Sequence, residues 1–187
     1  MKAFRPPQLP AVAATVAAAL RRAGISAVLT GGACAAIHSH GAYESSDLDF
    51  ILERETTQRV LDDAMGSVGF QRDGDRYVHT ALPFWVEFPR GPLGIGRDLD
   101  VKPVEIRVGH GRVRTLSAFD SCRDRLAAFY HWADRQALDA AVEIAHRKKI
   151  DPTRLRAWSE KEGASSKFEE FRRRVSGRSR GARRSAR

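Results

Sequence analysis

Ala27–Leu52, AVLTGGACAAIHSHGAYESSDLDFIL, is the stretch that decides how the rest of the chain is read. It is entered through an apolar run, Ile25 to Leu29, that reads as a buried strand. Thr30-Gly31-Gly32 follows, and the two missing side chains allow a sharp turn and close approach of backbone to a ligand. Ala33 to Ile37 is a small-residue segment that reads as a short helix starting at that turn, and Ser39 to Ser46 as a polar loop. Asp47-Leu48-Asp49-Phe50-Ile51-Leu52 then alternates as a strand does, so Asp47 and Asp49 share one face while Leu48 and Phe50 share the other. Two neighbouring carboxylates repel and call for a counter-charge; a divalent cation such as Mg²⁺, which prefers oxygen ligands, supplies it. Backbone N–H groups at the glycine turn and helix start suit an anion. A phosphate site beside a cation site is what a nucleoside triphosphate requires.

Outward from this stretch, the pattern is helix, strand, helix, strand, helix and then several strands. A helix from Pro10 to Arg22, stopped at Gly24, precedes it. Thr56 or Thr57 caps a helix carrying Val60, Leu61, Ala64 and Met65. Val68–Arg72 and Arg76–His79 flank the hairpin dipeptide Asp73-Gly74, Phe84–Phe88 reads as a strand, and Val104–Val108 with Arg112–Thr115 reads as a second hairpin across Gly109-His110-Gly111. The expected fold class is α/β (α+β): a small mixed sheet with flanking helices over residues 1–116. Ser117 to Asp120 has capping-box spacing and opens a helical region, residues 117–163: one long helix or two joined near Trp132, then another from Asp151-Pro152. Residues 164–187 form a basic tail expected to be largely disordered from Ser176 onward, where Ser, Gly and Arg dominate.

The 187 residues suit one ordinary domain or a core with a small helical appendage, and a hydrophobic fraction of 42% is enough for a core. Two distant cysteines, Cys34 and Cys122, imply no disulfide framework and fit a reducing cytoplasm. The N-terminal segment reads as an amphipathic helix rather than a signal peptide, and no stretch is long and apolar enough for a membrane span. A net charge of +9 favours polyanionic partners, although much of the excess sits in the tail; Arg172 to Arg187 offers phosphate contacts without aromatic stacking partners.

Glu87 lies mid-strand between Val86 and Phe88, where a charge needs a partner, and is the candidate third carboxylate. Asp98-Leu99-Asp100 repeats the acidic spacing but follows a glycine-rich loop with no preceding apolar strand, so it reads as a loop. Gly91 to Gly96 is neither a P-loop nor a dinucleotide fingerprint; it reads as a rim that shapes a pocket. Cys34, His38 and His40 lack a second ligand pair at zinc spacing and read as a packed thiol and surface imidazoles. His131 and Trp132 read as core or interface.

The small-Gly-Gly turn with Asp-x-Asp on the next strand, residues Gly31, Gly32, Asp47 and Asp49, resembles the signature of the polymerase-beta-like nucleotidyltransferase superfamily. Asp120 to Ala141 resembles the helix that follows the core in abortive-infection (AbiEii-like) toxin nucleotidyltransferases of type IV toxin–antitoxin systems. The resemblance implies a nucleotidyltransferase fold; Mg²⁺ or Mn²⁺ held by Asp47, Asp49 and Glu87; and nucleotide binding by Gly31, Gly32, Ser46, Arg125, Asp134 and Arg135. The implied reaction moves a nucleotidyl group from a nucleoside triphosphate such as ATP to a hydroxyl on RNA (tRNA) or protein. Partners would then include RNA, a target protein or a cognate antitoxin. Two alternatives stand beside it: a catalytically inactive nucleotide- or partner-binding module, antitoxin-like, and a basic RNA-binding protein.

Overall fold

A computed structural model describes the backbone of residues 8–184 and the side chains as far as residue 177. The elements are α1 (Leu9–Arg22), β1 (Ala27–Thr30), α2 (Gly31–His38), β2 (Asp47–Leu52), α3 (Gln58–Gly66), β3 (Gln71–Asp73), β4 (Arg76–Val78), β5 (Trp85–Glu87), β6 (Val104–Val108), β7 (Gly111–Thr115), α4 (Ala118–Trp132), α5 (Arg135–Arg147), α6 (Pro152–Lys161) and α7 (Ser165–Arg184). The strands form one 7-stranded mixed sheet, ordered β3-β4-β5-β2-β1-β7-β6. β1 runs antiparallel to β2 and parallel to β7, and β2 runs parallel to β5.

Local chemistry sets most element ends. α1 has Pro10 in its first turn, where a missing N–H costs nothing, and the chain leaves it through Gly24 at φ +72°. The Thr57 side chain caps α3 by accepting from Val60 N. Ser117 Oγ accepts from Asp120 N at 3.0 Å and donates to Asp120 Oδ2 at 2.7 Å, so α4 starts where the capping pattern puts it. α4 ends at Ala133, which takes a left-handed conformation (φ 55°), and Asp134 then caps α5 by accepting from Ala137 N at 3.0 Å. Of the two expectations, one long helix or two joined near Trp132, the second holds. The first hairpin turns on Gly74-Asp75, one residue later than expected, because Asp73 pairs with Arg76.

Leu48 and Phe50 of β2 and Val86 of β5 are all but completely buried, on the opposite face from the aspartates. Each such side chain contributes about 2 kcal/mol of burial free energy, and together they hold β2 in the register that turns its carboxylates outward. α2 is tied to the end of β7: His38 Nε2–H donates to Leu116 O at 2.9 Å, and Thr115 Oγ1 lies 3.0 Å from Cys34 Sγ. α4 and α5 pack on each other and on α2, so the helical region shares the core of the sheet.

The basic tail departs from expectation. α7 runs to Arg184, through a stretch expected to lack structure from Ser176. Phe168 and Phe171 are buried and anchor its first half, Arg172 pairs with Glu169 one turn away, and arginine propagates a nucleated helix well. Residues 185–187 of the tail lie outside the described residues.

Candidate active site

The alternation along β2 and its neighbours brings five side chains to one face. β2 pairs with β5 so that Asp47 stands beside Trp85 and Asp49 beside Glu87; on the other side, Asp49 faces Thr30 of β1. Asp47, Asp49, Glu87, Trp85 and Thr30 thus line the face that the core does not use. Glu87 turns towards its own strand, where Oε1 accepts from Trp85 Nε1 at 2.9 Å. The Arg76 guanidinium lies 5.7 Å over the Trp85 ring.

The glycine turn is fitted to these carboxylates. Gly31 has φ +65°, and a Cβ there would collide with Asp49 Oδ2. A Cβ on Gly32 would stand 2.5 Å from Ser45 Oγ and 3.7 Å from Asp47 Oδ1. Ser45 Oγ donates to Asp47 Oδ1 at 2.5 Å. The backbone at the start of α2 therefore comes closer to the acidic pair than any residue with a side chain allows.

The electrostatics record the crowding. Asp49 is pushed up to about 6, first by burial and then by the charges of Asp47 and Glu87; Arg125 opposes the shift. Arg125, from α4, donates Nε and Nη2 to Asp124 Oδ2 at 3.1 and 2.8 Å. Burial works against its charge, but Asp124, Tyr43 and Asp49 outweigh it and hold its pKa above the ordinary value. Burial raises the Tyr43 phenol, which Arg125 partly offsets.

Two of the cavities that open from this face take in Asp49; Glu87 borders a third, of ≈ 1030 Å³, that also reaches Arg90. Of the first two, one, of ≈ 270 Å³, lies under the Pro89–Gly94 rim against Thr30, Gly31, Ile51 and Asp124. The other, a groove of ≈ 1420 Å³, runs past Gly32, Tyr43, Ser45, Ser46, Asp47, Trp85, Asp134 and Lys148. Asp49 and Arg125 line both.

In kind, the donor set fits a hard divalent cation: carboxylate oxygens on one face, Asp49 raised first by burial and then by like charges that a cation would offset. In placement, no three Asp, Glu, His or Cys side chains among the described residues stand close enough together to hold an ion. Glu87 would have to leave Trp85 to join the aspartates.

The other sequence candidates fall in different places. Ser46 lines the groove and its carbonyl accepts from Trp85 N at 3.2 Å. Asp134 also lines the groove while its Oδ1 caps α5. Arg135 turns to α7, 2.7 Å from Glu170 and 5.4 Å over the Phe129 ring, and lines neither cavity. Asp98 sits in a loop, bound to Arg123. Cys34 and His38 are buried, and burial lowers the His38 pKa; its imidazole is a satisfied core group rather than a surface one. Trp132 is exposed. Thr30, Tyr43, Trp85, Arg90 and Asp124 were not among the candidates. Two of them had a readable signal: Trp85 lies two residues before Glu87, hence on its face, and Asp124 adjoins Arg125.

No family model and no curated protein matches the sequence. Among solved structures, the chain is similar to an antigenic nucleotidyltransferase-like protein from Paracoccidioides brasiliensis, with 14% identity, a TM-score of 0.58, and coverage of 87% of this chain and 92% of that one. The fold is nucleotidyltransferase-like. The antibiotic-resistance factor ANT(2'')-Ia also aligns, at 12% identity and a TM-score of 0.47 over 92% of both chains. Among the described residues no helix is long and apolar enough to cross a membrane.

Proposed function

We propose that the chain is a metal-dependent nucleotidyltransferase that moves a nucleotidyl group from a nucleoside triphosphate to a hydroxyl. The observation that carries this reading is the cross-strand pairing of Asp49 with Glu87, beside Asp47 and packed against the Gly31 backbone at the junction of two cavities. Asp47 and Asp49, completed by Glu87, would hold Mg²⁺ or Mn²⁺, which when bound offsets charge on the triphosphate and on the attacking oxygen. Gly32 and Ser46 line the larger groove, where a phosphate chain would run, with the Gly31 backbone at its junction with the smaller cavity, and Arg125 presents a fixed guanidinium beside Asp49. An ionised carboxylate of this set, with Asp49 at the junction of the two cavities, would take the proton of the acceptor hydroxyl. Asp134 borders the same groove. The acceptor would be a hydroxyl on RNA, such as tRNA, or on a protein. A toxin of a toxin–antitoxin pair working in the cytoplasm is the most specific form of this reading, and it rests on the resemblance of the Asp120–Ala141 segment.

One observation favours a second reading. Glu87 is held by Trp85 and no carboxylate triad is assembled, as expected of a module that binds nucleotide or a partner protein without turning it over. Incubation with each labelled triphosphate, Mg²⁺, total RNA and protein separates the two. Under the enzyme reading, label enters an acceptor and Asp49→Asn abolishes this while the protein stays folded. Triphosphate binding without transfer in any mixture sinks the enzyme reading and leaves the binding module.

A further inference from the structure

The two cavities that meet at Asp49 and Arg125 differ in size and lining, and in-line displacement at phosphorus needs two such spaces. The attacking oxygen and the leaving group occupy opposite sides of the phosphorus. The groove on the Gly32–Ser46 side, at ≈ 1420 Å³, has room for a nucleoside triphosphate. The cavity on the Gly31 side, at ≈ 270 Å³, lies below the range of about 300–1,000 Å³ that suits whole drug-sized ligands. It is sized for the reacting end of the second substrate.

Its lining says what that end carries. Ile51, Pro89, Pro92 and Leu93 make an apolar wall. Arg90 also lines it, exposed, with no ion pair or hydrogen bond among the described residues, and borders the neighbouring groove as well. The Arg125 guanidinium, already bound to Asp124, closes the inner end beside Asp49. A guanidinium without a partner above an apolar wall matches a phosphate attached to a flat or apolar body, and repels a polycation. The rim that bears Arg90 is continuous with a fixed loop. Asp98 is 2.5 Å from Arg123, which is buried over the Trp158 ring, and Arg97 N donates to the buried Glu162 Oε1 at 3.0 Å. Glu162 also faces His131 Nε2 at 3.1 Å.

We infer that the cavity under the Pro89–Gly94 rim is the acceptor subsite, and that it takes a hydroxyl compound bearing a phosphate, as a nucleotide does, with Arg90 reading the phosphate and Asp49 meeting the hydroxyl. The inference rests on the transferase reading above. In the step, the acceptor O–H gives its proton to the Asp49 carboxylate and its oxygen forms a bond to the α-phosphorus. The bond from that phosphorus to the bridging oxygen breaks, and pyrophosphate leaves with the electron pair into the larger groove.

The test is label transfer from each triphosphate, with Mg²⁺, into total RNA, a mixture of nucleoside monophosphates, and total protein, using wild type, Arg90→Glu and Arg90→Lys. Triphosphate affinity is measured in parallel by equilibrium binding. Label in RNA or monophosphates supports the inference if Arg90→Glu raises acceptor KM about tenfold or more, Arg90→Lys recovers part of it, and triphosphate affinity stays within about twofold. RNA and monophosphate arms tell a strand end from a free nucleotide. Loss of triphosphate affinity in Arg90→Glu overturns the inference, because the cavity then serves the donor. Transfer into protein alone, with Arg90→Glu silent, overturns it while sparing the transferase reading. Bound triphosphate with no transfer anywhere overturns both.

Discussion

Two regions of the molecule gather charge and treat it in opposite ways. Around α4 and α6, Arg123 is buried between Asp98 at 2.5 Å and Asp120 at 3.0 Å and lies over the Trp158 ring, while Glu162 is met by Arg97 N and His131. Its ion pairs are closed within the protein, with Arg123 Nε left as a buried donor without a hydrogen-bond partner among the described residues. On the β2–β5 face, Asp47, Asp49 and Glu87 stand side by side; Arg125 faces Asp49 but is half committed to Asp124, and Arg76, paired across the strands with Glu87, lies over the Trp85 ring. The contrast teaches that burial of charge alone marks no function. A buried group with its partners present is architecture; a set of like charges short of a partner is a demand for something from outside.

The sharpest way to break this comparison is Asp49→Asn. Transfer activity is expected to fall by about 10³-fold or more, about 4 kcal/mol of lost transition-state stabilisation, read as label incorporation. Stability is expected to move the other way. The folded carboxyl keeps its proton up to about 6, whereas an ordinary aspartate loses it near 4, so its favourable contribution is full below about pH 4 and lost as pH rises through about 6. Without divalent cation, Asn at this position should therefore gain about 2 kcal/mol on wild type between pH 4 and 8 in urea unfolding. An Asp49→Asn variant that is less stable at pH 8 would contradict the account of a carboxylate raised by burial and by its like-charged neighbours.

Arg123→Ala probes the closed region and should cost about 3 kcal/mol, since it takes the cation away from both Asp98 and Asp120 and removes stacking on Trp158. The midpoint of urea unfolding should fall, and the loss should persist from pH 6 to 8. Gly31→Ala should cost about 2 kcal/mol through its left-handed φ and the clash with Asp49. Mg²⁺ should raise the thermal midpoint of wild type but not of Asp49→Asn, the signature of a ligand that binds the folded state. The smallest effect is expected from Trp85→Phe. It removes one hydrogen bond to Glu87, costs about 1 kcal/mol and leaves Glu87 freer to join the aspartates. Transfer falling as far as in Asp49→Asn would show that Trp85 holds Glu87 in its working position.

Local signals in the chain proved readable where a short segment contains its own physics. β2 runs from Asp47 to Leu52 as the alternation demands, Ser117, Thr57 and Asp151 cap helices, and Gly24 ends α1. The mixed sheet with flanking helices was likewise legible from the order of patterns. The failures were of two kinds. The Ser/Gly/Arg tail misled because composition does not reveal that Phe168 and Phe171 find a buried seat and nucleate α7. Arg135, expected at the nucleotide by resemblance, instead meets Glu170, 35 positions away on another helix, a pairing no local spacing reveals.

By itself, the sequence determined which residues share a face: period two along β2 and β5, and glycine where backbone must pass close to a carboxylate. These follow from steric rules acting within a few residues. Only the tertiary structure decided that β5 lies parallel beside β2 with Glu87 next to Asp49, that α4 turns Arg125 towards them, and that the rim loop closes a second cavity. Strand order and helix placement depend on burying apolar surface far apart in the chain, and no local spacing encodes which strand becomes whose neighbour.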